Sequence, residues 1–296
     1  MSKRPVVLVV MDGVGISDSE FGNAVKKAYK PTLDNLWENS PHTEIKAHGL
    51  AVGLPTDDDM GNSEVGHNAL GCGQIYSQGA KLVNENIETG EIFKTETWSG
   101  LVNNCKDGKM HFLGLLSDGN VHSHINHLKA LIKKAKEDGV KEVRVHALLD
   151  GRDVPETSAL TYVDDIEAYM AELNDDSFHA CIASGGGRMT ITMDRYEANW
   201  AMVEQGWHVH VLGEGREFAS AKEAIETYRA ESGVVDQDLP GFVIAKDGKP
   251  VGTIEDGDSV ILFNFRGDRS IEISKAFEAG DDFDKFDRIR TPKVVY

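Results

Sequence analysis

The chain has 296 residues, enough to bury one large hydrophobic core or two smaller ones. Its formal charge of -18, from 31 basic and 49 acidic residues, argues against nucleic-acid binding, which needs a basic face. An anionic small substrate is compatible with this charge, because a few arginines can form a local positive pocket. The three cysteines lack CxxC spacing and indicate neither a disulfide framework nor a zinc knuckle, so we expect a cytoplasmic protein. No stretch predicts a membrane span or a cleaved signal peptide.

The N-terminal part begins with an apolar run that predicts a strand. Residues 5–11 are rich in β-branched side chains and predict a fully buried, parallel strand that ends at Asp12. In open α/β sheets the carboxyl ends of strands border the ligand crevice, which makes Asp12 a candidate metal ligand. The alternative is that Asp12 is a turn residue before Gly13. A helix over Pro31–Asn39 and a short strand and turn over 48–55 follow.

Ser63 is the candidate nucleophile of the chain. It lies in the glycine-rich run MGNSEVGHNALG (60–71), ahead of a predicted helix whose N-terminal N–H groups would attract an anion. The alternative is an ordinary N-cap serine. With Asp12, the Ser63 oxygen would supply hard ligands to a divalent metal, which would lower the serine pKa and neutralise a phosphoryl group. The preceding acidic run 57–59 is interpreted as a solvated loop, with a metal role as the weaker alternative.

From about residue 78 the pattern changes to alternating helices and strands. Predicted strands are 111–117, 142–149, 179–183, 207–212 and 260–264. Predicted helices are 81–88, 93–103, 124–138, 158–173 (capped by Thr157), 196–205, 220–230 and 268–277. This alternation predicts an α/β fold with a mostly parallel sheet and helices on both faces.

Polar loops follow four of the predicted strands, at 117–124, 150–153, 184–188 and 265–269. Five arginines lie in or just after these loops: Arg152, Arg188, Arg195, Arg266 and Arg269. Guanidinium forks match carboxylate and phosphate oxygens two at a time, so the set indicates a ligand that carries both groups. The alternative is that each arginine braces its loop by pairing with a neighbouring aspartate.

The loops also contain candidate acid–base groups. His122 is interpreted as a substrate-site hydrogen-bonding or acid–base residue, and Asp153 as the carboxylate that takes and returns a hydroxyl proton. His122, His124 and His127 could also suggest zinc, but no cysteine or HExxH partner accompanies them. We interpret His124 and His127 as surface residues at a helix start. The chain contains neither GxGxxG nor GxxxxGK[ST], so nucleotide binding is unsupported.

Taken together, six segments resemble the 2,3-bisphosphoglycerate-independent (cofactor-independent) phosphoglycerate mutases of the alkaline phosphatase superfamily. They are VMDGVG (10–15), MGNSEVGH (60–67), LSDGNVHSH (116–124), LDGRD (149–153), MDR (193–195) and FNFRGDR (263–269). They occur in the family's order over essentially the whole chain, and their combination is specific where any single one would be weak. The run SGGGRM (184–189) resembles the variant of plant and trypanosomatid-like members.

The resemblance implies a phosphatase domain in two pieces with a phosphotransferase domain inserted between them. Residues 1–77 would be the first piece, 78–290 the insert and 291–296 the return hinge. The remaining metal ligands and a substrate-site lysine would belong to a second phosphatase piece that this sequence does not contain. We therefore expect the chain alone to fold its insert, to bind substrate weakly and to turn it over negligibly.

The resemblance also assigns roles to individual residues. Ser63 would become phosphoserine while phosphate moves between O3 and O2 of glycerate, and Asp12 and Ser63 would ligate one of two divalent ions. These ions would be Mn²⁺, with Mg²⁺ or Co²⁺ as alternatives, and no 2,3-bisphosphoglycerate would be required. The substrate, 3- or 2-phosphoglycerate, would be held by His122, Arg152, Asp153, Arg188, Arg195, Arg266 and Arg269, with Asp153 as the candidate base.

The expected protein is a glycolytic isomerase that acts as a monomer on a small molecule, without nucleic-acid or membrane partners. Two other functions stay open. One is a different alkaline-phosphatase-superfamily enzyme, such as a phosphopentomutase or phosphatase, which would share the Asp12 and Ser63 site but would not predict the arginine loops. The other is a non-catalytic phosphoglycerate-binding fragment.

Overall fold

A computed structural model describes residues 4–296, so the first three residues of the predicted N-terminal piece lie outside it. The α-helices are α1 (Ala24–Lys27), α2 (Pro31–Asn39), α3 (Ser63–Cys72), α4 (Gly79–Glu88), α5 (Glu96–Asn104), α6 (Ile125–Glu137), α7 (Ala159–Leu173), α8 (Trp200–Trp207), α9 (Ala221–Ser232) and α10 (Ile271–Glu278). The strands are β1 (Met110–Leu116), β2 (Glu142–Leu149), β3 (His179–Gly187), β4 (Arg216–Phe218), β5 (Phe242–Lys246), β6 (Lys249–Pro250) and β7 (Ser259–Leu262). None of these helices combines the length and apolar character that crossing a bilayer requires.

A seven-stranded sheet organises residues 110–262, in the order β4-β5-β3-β2-β1-β7, with β6 paired to β5. The strands β7, β1, β2 and β3 are parallel neighbours, whereas β5 is antiparallel to β3. The mostly parallel α/β prediction is therefore confirmed. Parallel strands end at the same edge, and that edge carries the four polar loops.

Both faces of the sheet are covered, as the mostly apolar parallel strands predict. Successive side chains of a strand point to opposite faces. In β1, Phe112 and Leu116 belong to one buried cluster, which also contains Ile132 of α6. Leu113 and Leu115 belong to a second cluster, which contains Trp207 and Phe277. The loops thus extend from a sheet that is packed on both sides.

The N-terminal part differs most from the sequence prediction. Helix α2 has the predicted bounds, but the predicted strand at 5–11 is wrong, because these residues form no strand and Val6 is 96% exposed. Residues 48–55 contain a 3₁₀ turn, Gly49–Val52, instead of a strand. A strand needs a neighbour to pair its N–H and C=O groups, and none of residues 4–296 pairs with 5–11. Apolar β-branched composition alone does not supply that neighbour.

The predicted strand 207–212 is also wrong. This segment continues α8 as a short π-helix, His208–Leu212, in which Val209, His210 and Val211 are all buried. Its apolar residues Trp207, Val209 and Val211 alternate with His208 and His210, a pattern that is also typical of a strand with one polar face. His210 is instead buried and hydrogen-bonded to other side chains. The alternation of apolar and polar residues therefore does not indicate which side chains face water in this segment.

Other boundaries also shifted, and three strands were missed. The helix predicted from residue 196 begins at Trp200, because Tyr196 and Glu197 have positive φ values of 61° and 54°. The cap predicted at Thr157 is not formed, since Ser158 precedes α7 without a side-chain cap. Strand β3 continues through its glycines to Gly187 by pairing with β2. The short strands β4, β5 and β6 were not predicted.

Candidate functional site

Asp150 anchors the loop that follows β2. Its Oδ1 accepts hydrogen bonds from the backbone N–H groups of Arg152 (3.1 Å) and Asp153 (3.0 Å), and its Oδ2 accepts one from Ser117 Oγ (2.6 Å). Arg188 Nη1 lies 2.9 Å from the same Oδ1. Asp150 is almost fully buried, so these bonds join the loops after β1, β2 and β3. The sequence reasoning treated Asp150 only as a partner for an arginine, and its central position depends on three separate strands.

Arg188 combines bracing with an unused donor. It is buried and pairs with both Asp150 and Asp153, whose Oδ2 is 2.5 Å from Arg188 Nη1. The bracing alternative therefore describes part of what Arg188 does. Its Nε, however, is buried without a hydrogen-bond partner. Because buried donors are normally satisfied, this N–H is available to a ligand.

The other arginines also lie close to this edge. Arg266 Nε is 3.1 Å from Asp268 Oδ1, but neither atom makes a hydrogen bond with good geometry. Arg195 Nη1 is 3.9 Å from Asp268 Oδ2, and Arg269 Nη1 donates to the carbonyl of Met193 at 2.6 Å. Arg152 is exposed and has no ion pair among the described residues; its Nη1 contacts Met189 Sδ at 3.8 Å. We call Arg152, Arg188, Arg195, Arg266 and Arg269 the arginine cluster.

The electrostatics of the arginine cluster are strongly positive. Burial, together with the nearby Arg188 and Arg195, lowers the pKa of Arg269 to about 10, while Asp268 acts in the opposite direction. The effect of Arg188 and Arg195 on this pKa indicates that their guanidinium groups lie near that of Arg269. The sequence predicted an anion pocket in an acidic chain, and the structure brings these charges to one edge.

His122 lies inside this positive region. It is buried, and burial together with Arg188, Arg266 and other arginines of the cluster lowers its pKa to about 2. The ring is therefore neutral near pH 7. Its Nδ1 is 3.6 Å from Asp268 Oδ1 and has no hydrogen-bond partner within the described residues. A neutral imidazole with a free ring nitrogen can offer one hydrogen bond to a bound ligand.

Ser63 is the first residue of α3, and Asn62 is the N-cap. Asn62 Oδ1 accepts from the Val65 N–H at 3.2 Å, so the N-cap interpretation of Ser63 is wrong. The Ser63 hydroxyl is exposed and lies 3.3 Å from His67 Nδ1. Just before this helix, Gly61 allows the backbone to approach Ala47 closely, since a Cβ at residue 61 would be 1.9 Å from the Ala47 carbonyl oxygen.

Glu64 connects the Ser63 helix to the arginine cluster. Its Oε2 is 3.1 Å from Arg266 Nε, which places the N-terminus of α3 beside the loop after β7. The sequence reasoning did not assign Glu64 a role. Its position directly after the candidate nucleophile was the one feature of the sequence that pointed to a role for it. Its partner, Arg266, lies 202 residues later in the chain, too far for a local pattern to indicate the pair.

Asp12 is exposed, and its Oδ1 accepts a hydrogen bond from the Gly13 N–H at 3.1 Å, as a turn residue does. No hydrogen bond or ion pair between Asp12 and Ser63 occurs within residues 4–296. Over the same range, no three His, Cys, Asp or Glu side chains form a group that could hold a metal ion. The shared metal site of Asp12 and Ser63 therefore stays a prediction.

The remaining candidates brace the structure. His124 is the N-cap of α6, where its ring accepts from the Asn126 N–H at 3.1 Å, which fits its predicted place at a helix start. His127 was expected at the surface, but it is buried and bonded to Asn84. In the acidic run, Asp59 accepts hydrogen bonds from Thr56 and Asn120.

Comparisons with known proteins identify the family of this chain. A family model described as BPG-independent PGAM N-terminus matches residues 83–296. A Leptospira interrogans protein named "Probable 2,3-bisphosphoglycerate-independent phosphoglycerate mutase" is 57% identical over 99% of this chain and 54% of its own length. The 2,3-bisphosphoglycerate-independent phosphoglycerate mutase of Trypanosoma brucei is 53% identical over 100% of this chain and 54% of its own length.

A solved structure of Leishmania mexicana phosphoglycerate mutase, from crystals at low cobalt concentration, has a TM-score of 0.93 to this chain and 51% identity. The match covers 97% of this chain and 53% of the Leishmania chain. This chain thus spans about half the length of the curated relatives that it matches. It belongs to the family of 2,3-bisphosphoglycerate-independent phosphoglycerate mutases.

Proposed function

We propose that this chain carries the phosphoglycerate-binding site and the nucleophile of a phosphoglycerate mutase that interconverts 3- and 2-phosphoglycerate in glycolysis and gluconeogenesis. The observation that carries the proposal is the arginine cluster around neutral His122, joined to the Ser63 helix by the Glu64–Arg266 ion pair. This arrangement presents cations for phosphate and carboxylate beside an exposed hydroxyl. The relatives' names support the same activity for the whole protein.

The residues of the site differ in whether they have exposed or unpartnered polar atoms that can bind a ligand. Arg152 is exposed, and Arg188 has an unpartnered Nε, so both can form new bonds to substrate oxygens. We propose that Arg195, Arg266 and Arg269 complete the anion pocket and that His122 bonds to the glycerate. A substrate with both phosphate and carboxylate would use most of this charge, whereas a neutral sugar would leave it uncompensated.

We propose Asp153 as the base that takes a proton from the glycerate hydroxyl and later returns it. The ion pair with Arg188 fixes the direction of its carboxylate, and its backbone N–H is held by Asp150. A general base must lie within hydrogen-bonding reach of the proton that it takes. These two contacts hold the Asp153 carboxylate in a fixed position. Ser63 would accept the phosphoryl group as phosphoserine and return it to the other oxygen of the glycerate.

We propose a divalent metal requirement, for Mn²⁺ or alternatively Mg²⁺ or Co²⁺, with Asp12 and Ser63 as two of the ligands. Both are exposed oxygen donors of the kind that such ions prefer, but they form only part of a ligand set within residues 4–296. Metal ions at this position would lower the serine pKa and neutralise phosphoryl charge. The Leishmania neighbour was studied with cobalt.

We further propose that residues 1–77 are the first piece of a phosphatase domain, 78–290 the inserted domain and 291–296 the return hinge. The family match beginning at residue 83 supports a boundary near residue 78. A cytoplasmic, monomeric enzyme fits this proposal.

The test is calorimetric binding of 3-phosphoglycerate to the 296-residue chain, with ribose 1-phosphate and inorganic phosphate as competitors. We expect 3-phosphoglycerate to bind best and Arg152→Met to weaken it, while Arg216→Met, at an exposed ion pair in β4, changes nothing. Equal binding of ribose 1-phosphate would favour the phosphopentomutase alternative. Manganese-dependent turnover that disappears in Ser63→Ala would establish the mutase activity in this chain. Binding without turnover is the result expected here, and absence of 3-phosphoglycerate binding would refute the proposal.

A further inference from the structure

A chain of buried polar side chains crosses the sheet. It consists of Asp258, His111, His146, Ser184, His210 and Thr192, which we call the histidine relay. Five contacts of 2.7–3.0 Å join them in that order: Asp258 Oδ2 to His111 Nε2, His111 Nδ1 to His146 Nε2, His146 Nδ1 to Ser184 Oγ, Ser184 Oγ to His210 Nδ1, and His210 Nε2 to Thr192 Oγ1. All six residues are at most 1% exposed.

Asp258 fixes the direction of the hydrogen bonds. It also accepts from the N–H groups of Lys109 and Glu255, so it acts only as an acceptor. A neutral His111 must then donate from Nε2 and accept at Nδ1, which makes His146 donate from Nε2. By the same rule Ser184 donates to His146, accepts from His210 Nδ1, and leaves His210 Nε2 as the acceptor for Thr192. Every group is satisfied if all three imidazoles are neutral.

Burial favours those neutral forms. It lowers the pKa of His210 to about 3 and that of His146 well below its ordinary value. His111 is also lowered by burial, although Asp258 acts in the opposite direction. The arrangement requires His210 to carry its proton on Nδ1, whereas His111 and His146 carry theirs on Nε2.

The far end of the relay lies in the loop of the arginine cluster. Thr192 is a β-branched residue with a positive φ of 67°, a conformation that persists only when its surroundings hold it. Its N–H donates to the Met202 carbonyl, and the next residue, Met193, accepts from Arg269. Asp194 accepts from the Asn199 N–H, and Arg195 follows.

Helix α8 is shaped to let Thr192 reach the relay. A Cβ at Gly206 would be 2.1 Å from Thr192 Oγ1, so only glycine allows this approach. The π-helix that follows α8 then brings His210 to the same hydroxyl. Two independent features of the fold thus converge on one side-chain oxygen.

We propose that the histidine relay positions the loop 192–195, and through it Arg195 and Arg269, for binding of the anionic substrate. Thr192 and His210 are positioning residues in this account, since they contact no ligand themselves. The effect on substrate rests on the proposed function, but the relay and its hold on the loop do not.

The first experiment is long-range ¹H–¹⁵N NMR of the imidazole rings in the labelled 296-residue chain. We expect His210 protonated on Nδ1, and His111 and His146 on Nε2. Protonation of His210 on Nε2, or on both nitrogens at neutral pH, would overturn the relay.

The second experiment compares Thr192→Val, which removes the hydroxyl and keeps the branched shape, with Thr192→Ser, which keeps the hydroxyl. Amide exchange at Asn199, which reports on the loop, should be at least fivefold faster in Thr192→Val and near wild type in Thr192→Ser. Gly206→Ala should resemble Thr192→Val. Unchanged exchange in Thr192→Val would refute the positioning role.

The third measurement is the affinity of the same variants for 3-phosphoglycerate. We expect at least a fivefold loss in Thr192→Val and recovery in Thr192→Ser. Equal affinity in all variants would mean that the relay stabilises the sheet without acting on the substrate. If wild type binds no 3-phosphoglycerate, the proposed function fails, while the tautomer and exchange results still decide the relay.

Discussion

Replacing Asp150 with asparagine should destabilise the protein strongly, although the two side chains have nearly the same shape. The amide oxygen can still accept from the backbone N–H groups of Arg152 and Asp153. The buried Arg188 guanidinium, however, loses one of its two negative partners. Removing one member of a buried ion pair costs about 3–5 kcal/mol, and Asp153 remains, so we expect about 3 kcal/mol.

The assay is urea unfolding followed by tryptophan fluorescence, to which buried Trp98 and Trp207 contribute, with Asp164→Asn as the control. Asp164 lies 3.7 Å from Lys222 in a pair that is about half exposed, so its loss should cost less than about 1 kcal/mol. Both substitutions remove one negative charge. The difference between their changes in the free energy of unfolding therefore reports the effect of burying the ion pair. A free energy of unfolding for Asp150→Asn within about 0.5 kcal/mol of the control would refute the reasoning, since that is the usual range for surface changes.

Three further predictions concern other parts of the molecule. Burial lowers the pKa of His210 to about 3 and that of His127 to about 4, and the pKa of His122 is lowered as well, so the contribution of these histidines to stability is full above about pH 6.5 and declines as pH falls; a lower free energy of unfolding at pH 5 than at pH 7 would show their combined effect, and an equal one would contradict it. Asn62→Ala should cost α3 about 1 kcal/mol, seen as about fivefold faster exchange of the Val65 amide, and Asn62→Asp should retain the cap. Gly61→Ala should displace α3 from Ala47 and shift its amide resonances; an unchanged spectrum would contradict the close approach.

The sequence predicted those elements whose own pattern and tertiary surroundings agree. Strand β2 and helix α2 have the predicted bounds because a buried apolar run and a proline at the first helical turn are local signals. The run 5–11 carries an equally strong apolar signal, but a strand also needs a partner. The segment 207–212 failed for the opposite reason, because His210 is buried among polar side chains that no local pattern indicates.

The candidate site was predictable at the level of its loops. Parallel strands place their carboxyl ends together, so residues 117–124, 150–153 and 265–269 were expected to meet, and they do. The sequence did not show which arginines pair with an aspartate and which are free to bind a ligand. The difference depends on which aspartate, if any, each guanidinium reaches in the folded chain. It also missed Glu64, whose partner Arg266 is distant in the chain. The catalytic and metal-binding roles stay predictions.

The arginine cluster lies in a chain whose formal charge is -18, and this contrast affects how an anion arrives. At separations up to the screening length of about 8 Å at physiological salt, an anion that approaches the surface meets the average negative field. Only at contact do the guanidinium groups dominate. Added salt should therefore accelerate encounter by screening the repulsion, while it shortens the lifetime of the bound state far less in the buried part of the pocket. Selection for the substrate would then depend on residence time more than on long-range attraction.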